Sequence, residues 1–300
     1  MNVLSLFDGA ACAMVCLKRA GIPIENYYGA DIKKCAVRCE ELIGKYYGVN
    51  HIQLGDVTKI DYSQLPKIDL LCAGFPCQDY SVVNAYKKGL KGKNGQLFWE
   101  VVRAIKAVKP KYIILENVTT IPADTLALIQ RETGCFENRI VDPVALGWAT
   151  RRKRLFFTNF LSLTDMPVPR KEKETMQELL DSDSIGAVVN RSRERLVYST
   201  TEIGTLVQNQ PTRAGEGPFI LTNDPSKTPY KRVKTASMYE HGYKAFRCPT
   251  QAELARFHTY PVEIMEQFSA PHAQSLMGDG WHCGSIQWLF DKLKEKIEND

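Results

Sequence analysis

The chain has 300 residues, of which 44% are hydrophobic, and its 39 basic and 34 acidic residues give a net charge of +5. This length allows one large domain with a substantial core and a smaller second domain. No apolar run approaches the ~20 residues that a membrane-spanning helix needs, so we expect a soluble chain that does not contact a membrane. Because the first predicted strand begins at the N-terminus, we expect no signal peptide and an intracellular, cytoplasmic location.

Short apolar strands alternate with helices through the first half of the chain. This pattern predicts an α/β fold, Rossmann-like, with a mainly parallel sheet and helices on both faces. The predicted strands are 3–7, 27–30, 53–57, 68–73, 112–115 and 151–155. The predicted helices are 11–20, 33–45, 97–108, 123–133 and 282–297.

The turn after the first predicted strand is typical of a nucleotide-type cofactor site. It runs from Asp8 to Cys12 and leads into a helix, whose N-terminus favours a carboxylate or a phosphate. Gly9 can adopt backbone angles that other residues avoid and lets a ligand approach closely. Asp31 suits the hydroxyls of a ribose and Asp56 the amino group of an adenine. Both aspartates also fit ordinary turn residues next to glycine.

A cysteine and a carboxylate are expected at one edge of the predicted sheet. Cys77 follows the apolar strand 68–73, and Glu116 follows the strand 112–115. A thiolate at this edge could add to C6 of a pyrimidine while the carboxylic acid protonates or hydrogen-bonds N3, a form of covalent catalysis. The alternative is that Cys77 is a small buried hydrophobic residue.

A series of motifs, in this order and spacing, resembles the C5-cytosine DNA methyltransferase family. The motifs are Phe7-Asp8-Gly9, Gly74-Phe75-Pro76-Cys77-Gln78, Glu116-Asn117-Val118, Arg151-Arg152-Lys153-Arg154-Leu155 and Gly278-Asp279-Gly280-Trp281. The resemblance covers about residues 1–163 and 246–300. Within the family, segments 79–84 and 95–100 are most similar to the catalytic core of the vertebrate de novo methyltransferases.

The resemblance implies a DNA (cytosine-5-)-methyltransferase with a methyltransferase fold of the S-adenosylmethionine-dependent class. The methyl group passes from S-adenosylmethionine, leaving S-adenosylhomocysteine, to C5 of a cytosine flipped out of double-stranded DNA. Cys77 is then the nucleophile that bonds to C6, and Glu116 is the partner of N3. Arg152 and Arg154 correspond to two arginines that contact the target cytosine. On a strand, residues two apart share a face, although a solvated basic strand is the alternative for this run.

The resemblance also assigns binding residues. The cofactor is expected at Phe7, Asp8, Gly9, Ala10, Cys12, Asp31, Ile32, Asp56, Val57, Leu97, Asp279 and Trp281. The loop after the nucleophile is expected to contact DNA through Ser81, Val83, Asn84, Lys87 and Lys88, and lysines in such a loop suit phosphate contacts.

Prolines and short β-like pieces such as 219–221 interrupt the regular pattern from about Thr164. We therefore predict a small, irregular target-recognition domain over 164–245, and a catalytic domain made of 1–163 and 246–300. Thr250 and Glu253 have the spacing of a capping box at a helix start.

The nine cysteines lack Cys-x-x-Cys spacing, so we predict no metal site and no disulfide framework. The chain departs from the usual family motifs at Thr150, where most members have Gln, and at Asp279, where they have Asn or Arg. Transfer RNA as the substrate and a catalytically inactive DNA-binding homologue remain alternatives. The recognition sequence, the role in restriction-modification, phage self-protection or epigenetic marking, and the oligomeric state stay open, with a monomer as the simpler expectation.

Overall fold

The computed structural model describes residues 1–76, 95–163, 166–182, 184–192, 195–199, 201–206, 219–222 and 246–300. The chain divides into two compact units. Unit 1 comprises Met1–Val141, Lys153–Val168 and Ile286–Asp300, and unit 2 comprises Asp142–Arg152 and Pro169–Ser285. The division differs from the predicted domains because 142–152 and 246–285 belong to unit 2. The functional division into a catalytic and a recognition domain stays a prediction.

Unit 1 contains a seven-stranded sheet with the order β3-β2-β1-β4-β5-β7-β6. Neighbouring strands from β3 to β5 are parallel, whereas β7 is antiparallel to both β5 and β6. The mainly parallel α/β sheet is therefore confirmed. The strands are β1 (Asn2–Leu6), β2 (Asn26–Ala30), β3 (Asn50–Gln53), β4 (Leu70–Ala73), β5 (Tyr112–Asn117), β6 (Glu137–Val141) and β7 (Arg154–Thr158).

Four helices of unit 1 follow the predicted ones closely. They are α1 (Cys12–Arg19), α2 (Lys34–Tyr47), α3 (Phe98–Val108) and α4 (Ala123–Thr133). On α3, the buried residues Phe98, Val101 and Val102 form an apolar face that belongs to the same core cluster as Leu71 and Leu115 of the sheet. Within the described ranges, no helix has both the length and the apolar character needed to cross a bilayer.

Unit 2 contains a four-stranded antiparallel sheet with the order β11-β10-β8-β9. The strands are β8 (Ser184–Ser192), β9 (Arg195–Ser199), β10 (Phe219–Thr222) and β11 (Phe246–Arg247), so a strand at 219–221 is confirmed. Among the described residues of this unit, the helices are α5 (Met176–Leu179), α6 (Gln251–Phe257), α7 (Val262–Met265) and α8 (Ala270–Asp279). The predicted capping box is confirmed, because the side chains of Thr250 and Glu253 each accept a hydrogen bond from the other residue's backbone N–H at the start of α6.

The last helix, α9 (Cys283–Asn299), begins in unit 2 and continues in unit 1 from Ile286. Within unit 1, Gln287 Nε2 donates a hydrogen bond of 3.1 Å to the carbonyl oxygen of Cys16 on α1. After α9, the carboxylate of Asp300 accepts a hydrogen bond from the Tyr112 hydroxyl (2.8 Å) and pairs with Lys111 (2.9 Å) at the start of β5. The end of the chain is thus attached to α1 and to the centre of the sheet.

Candidate active site

The turn after β1 combines three residues with a left-handed backbone. Phe7, Gly9 and Ala11 have φ angles of 56°, 59° and 50°. Such angles cost a residue with a Cβ about 1–2 kcal/mol, and strained backbone of this kind is concentrated at functional sites. A Cβ on Gly9 would meet no atom within 4 Å, so open space adjoins the turn. Ala11 is the N-cap of α1, where its methyl group cannot accept a hydrogen bond.

The carboxylate of Asp31 lies against this turn. Asp31 Oδ2 accepts a hydrogen bond of 3.1 Å from the backbone N–H of Gly9, and Oδ1 accepts one of 2.8 Å from that of Lys33. Each carboxylate oxygen has a second lone pair that can accept a further hydrogen bond. The next residue, Ile32, is apolar but 75% exposed. The structure therefore brings Asp31, with its neighbour Ile32, next to Gly9, and the part of these three residues in a cofactor site stays a prediction.

Asp56 occupies a different local structure from the one predicted. Strand β3 ends at Gln53, and Asp56 caps a 3-10 turn over Val57–Lys59 instead of ending a strand. Its Oδ1 accepts hydrogen bonds from the backbone N–H (3.0 Å) and hydroxyl (2.8 Å) of Thr58, which lower the pKa of Asp56. Val57 belongs to the core cluster of unit 1, against which Phe7 and Leu97 also pack.

The side chain of Asp8 points into the interior of unit 1. Its Oδ1 accepts hydrogen bonds from the Ser5 hydroxyl (2.5 Å) and from the Tyr27 hydroxyl (2.8 Å). Burial raises the pKa of Asp8 well above its usual value. Ala10 and Cys12 are buried, whereas Asp8 as a whole residue is half-buried. The sequence did not predict a role for Ser5 or Tyr27, although polar side chains within buried strands are a signal of such a network.

At the neighbouring edge, β4 and β5 bring the candidate nucleophile segment next to Glu116. The two strands are parallel and Ala73 pairs with Leu115, so Gly74 leaves β4 beside Glu116. Asn117 Nδ2 donates a hydrogen bond of 3.2 Å to the carbonyl oxygen of Phe75. The end of β5 thus holds the segment that leads to residue 77. Cys77 itself and the predicted DNA contacts Ser81, Val83, Asn84, Lys87 and Lys88 lie outside the described residues.

Glu116 forms an ion pair with Arg154. In the antiparallel pairing of β5 and β7, Glu116 is opposite Phe156, so Arg154, two residues earlier, lies diagonally opposite on the same face. Arg154 Nε is 3.0 Å from Glu116 Oε1, and the two side chains are only 19% and 11% exposed. The close opposite charge holds the carboxyl group of Glu116 at this edge of the sheet.

Arg152 is not on the same strand as Arg154. Strand β7 begins at Arg154, so the prediction of a strand over 151–155 is wrong for residues 151–153, and the argument that both arginines share a strand face does not apply. In unit 2, Arg151 makes two hydrogen bonds of 2.7 Å to the carboxylate of Glu202, which lower the pKa of Glu202. Arg152 is 3% exposed and donates a hydrogen bond of 3.0 Å to the carbonyl oxygen of Gly278.

The remaining predicted site residues also lie in unit 2. Asp279 is the exposed last residue of α8, and Trp281 is 8% exposed. The carbonyl oxygen of Trp281 lies 3.1 Å from Nδ1 of the buried His258. The part of Asp279 and Trp281 in a cofactor site stays a prediction. Over the described ranges, no group of three or more His, Cys, Asp or Glu side chains is arranged to hold a metal ion.

Comparison with known proteins gives a consistent family. Residues 1–280 match the family model described as C-5 cytosine-specific DNA methylase. The chain is 35% identical over 118 residues to the orphan methyltransferase M.Rho11sI of Bacillus phage rho11s, which covers 39% of this chain and 23% of that protein. It is 28% identical over 162 residues to the type II methyltransferase M.HhaI of Haemophilus parahaemolyticus, and this alignment covers 50% of this chain and 49% of that protein. The alignments thus span half or less of these two relatives.

The fold has solved counterparts. The structure of the Entamoeba histolytica methyltransferase EhMeth has a TM-score of 0.70 with 16% identity, over 100% of this chain and 98% of that one. The closer similarity to vertebrate de novo enzymes stays a prediction, since both relatives above are from a phage and a bacterium. Because the family model matches all but the last 20 residues of the 300, this chain belongs to the C-5 cytosine-specific DNA methylase family.

Proposed function

We propose that this chain is a DNA (cytosine-5-)-methyltransferase that uses S-adenosylmethionine to methylate C5 of a cytosine in double-stranded DNA. The arrangement at the ends of β4 and β5 carries the proposal. There, Arg154 holds the carboxyl group of Glu116, and Asn117 holds the carbonyl of Phe75, two residues before Cys77. Covalent pyrimidine chemistry needs an acid and a thiol. At this edge of the sheet lie the acid Glu116, the cation Arg154 that holds it, and the segment that leads to the thiol of Cys77.

The residues beside the turn after β1 fit the proposed cofactor. Asp31 suits the ribose hydroxyls, Asp56 suits the adenine amino group, and the exposed Ile32 offers an apolar surface for the adenine ring. The open space at Gly9 allows close approach to the strained backbone. Further residues proposed to hold the cofactor within unit 1 are Phe7, Ala10, Cys12, Val57 and Leu97. When bound, the cofactor supplies a methyl group on a positively charged sulfonium.

In the proposed mechanism, the Cys77 thiolate adds to C6 of the cytosine. In its acid form, Glu116 donates its proton, or a hydrogen bond, to N3, so that the electron pair displaced from the C5–C6 double bond makes C5 nucleophilic. Arg154 holds the carboxyl group of Glu116 in place at this edge of the sheet. After methylation, loss of the C5 proton to a base restores the C5–C6 double bond and releases the thiolate, and the proton on N3 returns to Glu116.

A stacked base does not expose C6 to a protein thiol. Flipping the nucleotide out of the duplex costs a few kcal/mol, which contacts to DNA must offset. We assign these contacts to Ser81, Val83, Asn84, Lys87 and Lys88 on the family resemblance.

The test compares Cys77→Ser with Cys35→Ser, a matched change at a partly buried cysteine on α2. We expect Cys35→Ser to transfer tritiated methyl groups to duplex DNA like the unmodified protein. Cys77→Ser should bind DNA but transfer nothing, and it should not be trapped by an oligonucleotide that contains 5-fluorocytosine.

Three results would contradict the proposal. Normal methylation by Cys77→Ser would exclude this nucleophile. Transfer to bulk transfer RNA in preference to duplex DNA would favour the RNA substrate. Binding of cofactor and DNA by the unmodified protein without transfer to either nucleic acid would identify an inactive homologue.

A further inference from the structure

A buried acidic residue with two polar partners lies behind the candidate cofactor site. Glu40 is on α2 and is fully buried. Its Oε2 accepts a hydrogen bond of 2.8 Å from Gln53 Nε2 and lies 3.0 Å from His51 Nε2, both at β3. We call Glu40, His51 and Gln53 the Glu40 cluster. Glutamate is almost never fully buried without such partners, and the inner face of a helix is ordinarily apolar.

Strand β2 has a glycine where the Glu40 cluster meets it. A Cβ on Gly29 would lie 2.2 Å from Glu40 Oε2 and 2.9 Å from His51 Nε2, which is too close for any side chain. Glycine within a strand weakens the strand and often marks a close approach of another group. Gly29 thus makes room for the carboxyl group of Glu40.

The Glu40 cluster is connected to both turns that carry the cofactor-binding aspartates. Gln53 Oε1 accepts a hydrogen bond of 2.8 Å from the N–H of Gly55, directly before Asp56. The carbonyl oxygen of Gly29, two residues before Asp31, accepts a hydrogen bond of 2.8 Å from the N–H of Leu54. The amide of Gln53 therefore links Glu40 to the Asp56 turn, and Gly29 links it to the Asp31 turn.

The protonation of Glu40 suits this position. Burial, followed by the negative charge of Asp31, raises the pKa of Glu40 to about 9, and burial lowers the pKa of His51. At neutral pH, Glu40 is thus an uncharged acid that can donate to His51 and accept from Gln53. Its Oε1 is buried and has no hydrogen-bond partner among the described residues, which a neutral carboxyl tolerates better than a carboxylate. The other ionisable groups that influence the Glu40 cluster are Asp8, Asp31 and Glu41.

We propose that Glu40 is a positioning residue for the cofactor: it holds Gln53 and His51 and so sets the geometry of the turns that carry Asp31 and Asp56. This inference rests on the proposed function, because it takes Asp31 and Asp56 as ligands of S-adenosylmethionine. Glu40 acts through these turns and does not touch the reacting atoms.

The experiment measures binding of S-adenosylhomocysteine to the full chain by titration calorimetry, together with kcat and KM for S-adenosylmethionine on duplex DNA. Asp31→Ala should abolish binding. Glu40→Ala and Gln53→Ala should weaken binding about tenfold, which corresponds to the loss of one hydrogen bond, and should raise KM with little change in kcat. Lys45→Gln, a change at an exposed residue later on α2, is the control and should bind normally.

Glu40→Gln provides a readout that a purely structural role would not affect. Glutamine keeps the shape of the uncharged acid and stays uncharged at every pH, and with its amide oxygen at the Oε2 position it can accept from Gln53 Nε2 and from a His51 ring that carries its proton on Nε2. This variant should therefore bind like the unmodified protein at pH 7. As the pH rises through about 9, Glu40 ionises and the unmodified protein should lose affinity relative to Glu40→Gln. Titration of the cofactor's own groups affects both proteins equally, so it cancels in the ratio of their affinities.

The outcomes separate the two proposals. If Asp31→Ala binds normally, the proposed cofactor site is wrong. If Asp31→Ala fails to bind while folded Glu40→Ala binds normally, the positioning role is wrong. If Glu40→Ala does not fold, two other measurements decide. Normal binding by Gln53→Ala overturns the inference, and so does a ratio of the affinities of the unmodified protein and Glu40→Gln that stays constant between pH 7 and 10.

Discussion

Removing the Arg154 guanidinium should slow methyl transfer with little effect on cofactor affinity. In the structure, Arg154 Nε and Glu116 Oε1 are 3.0 Å apart, and both side chains are largely buried. Two side chains that contact each other in an ion pair interact by about 0.5–3 kcal/mol. Since 1.36 kcal/mol corresponds to tenfold in rate, Arg154→Ala should reduce the rate about 2- to 150-fold if the pair acts fully in the transition state.

The assay is single-turnover transfer of a tritiated methyl group to a duplex oligonucleotide, measured for Arg154→Ala, Glu116→Gln and the double variant. Because the two side chains form one ion pair, the losses should not add, and the interaction energy should be about 0.5–3 kcal/mol. Arg131→Ala on α4, an exposed arginine that pairs with its neighbour Glu132, is the control and should keep the full rate.

Two results would refute this reasoning. If the two single changes add to within about 0.5 kcal/mol in the double variant, Arg154 does not act through Glu116. If Arg154→Ala lowers cofactor affinity as strongly as it lowers the single-turnover rate, the arginine supports the fold of unit 1 and does not orient the acid.

Three further predictions concern the same sheet. Glu40 has a folded pKa of about 9 against 4.5 for an ordinary glutamate, so its contribution to stability is complete below 4.5 and is lost as the pH rises to about 9. The free energy of unfolding of Glu40→Gln, measured with urea, should therefore rise relative to that of the unmodified protein by about 1.4 kcal/mol per pH unit across this range. A difference that does not change with pH would contradict the raised pKa of Glu40. Gly29→Ala should cost about 1–3 kcal/mol by overpacking, and combining it with Glu40→Ala should relieve part of that loss; equal losses in both backgrounds would refute the steric explanation. Asn117→Ala removes the hydrogen bond to Phe75 and should lower kcat about tenfold without changing cofactor affinity, and an unaltered kcat would show that this bond is dispensable.

The elements of the sheet that the sequence predicted are those with strong local patterns. All six residues of β5 are buried, and its core of consecutive apolar residues is typical of a central parallel strand. Strand β6 was not predicted, because it lies at the sheet edge, contains Glu137, Asn138 and Arg139, and leaves Ile140 about half exposed. An edge strand of this composition lacks the alternation that identifies strands in a sequence.

In the candidate site, too, the residues that could be predicted are those with a strong local sequence pattern. Gly9 and Asp31 could be predicted because strand, turn and helix follow one another within a short stretch of sequence. The pairing of Arg151 with Glu202 depends on a residue 51 positions away, which no local pattern indicates. The inward orientation of Asp8 also depends on Tyr27 from a neighbouring strand, so the resemblance alone assigned this side chain to the cofactor.

The attachment of the chain's end to its beginning has a consequence for synthesis. Gln287 binds the carbonyl oxygen of Cys16, 271 positions earlier, and Asp300 binds Tyr112, 188 positions earlier. A ribosome that adds about 5–20 residues per second needs on the order of ten seconds or more between Cys16 and Gln287. During that interval the nascent α1 lacks the hydrogen bond from Gln287, so its contact with α9 forms only after most of the chain has been made.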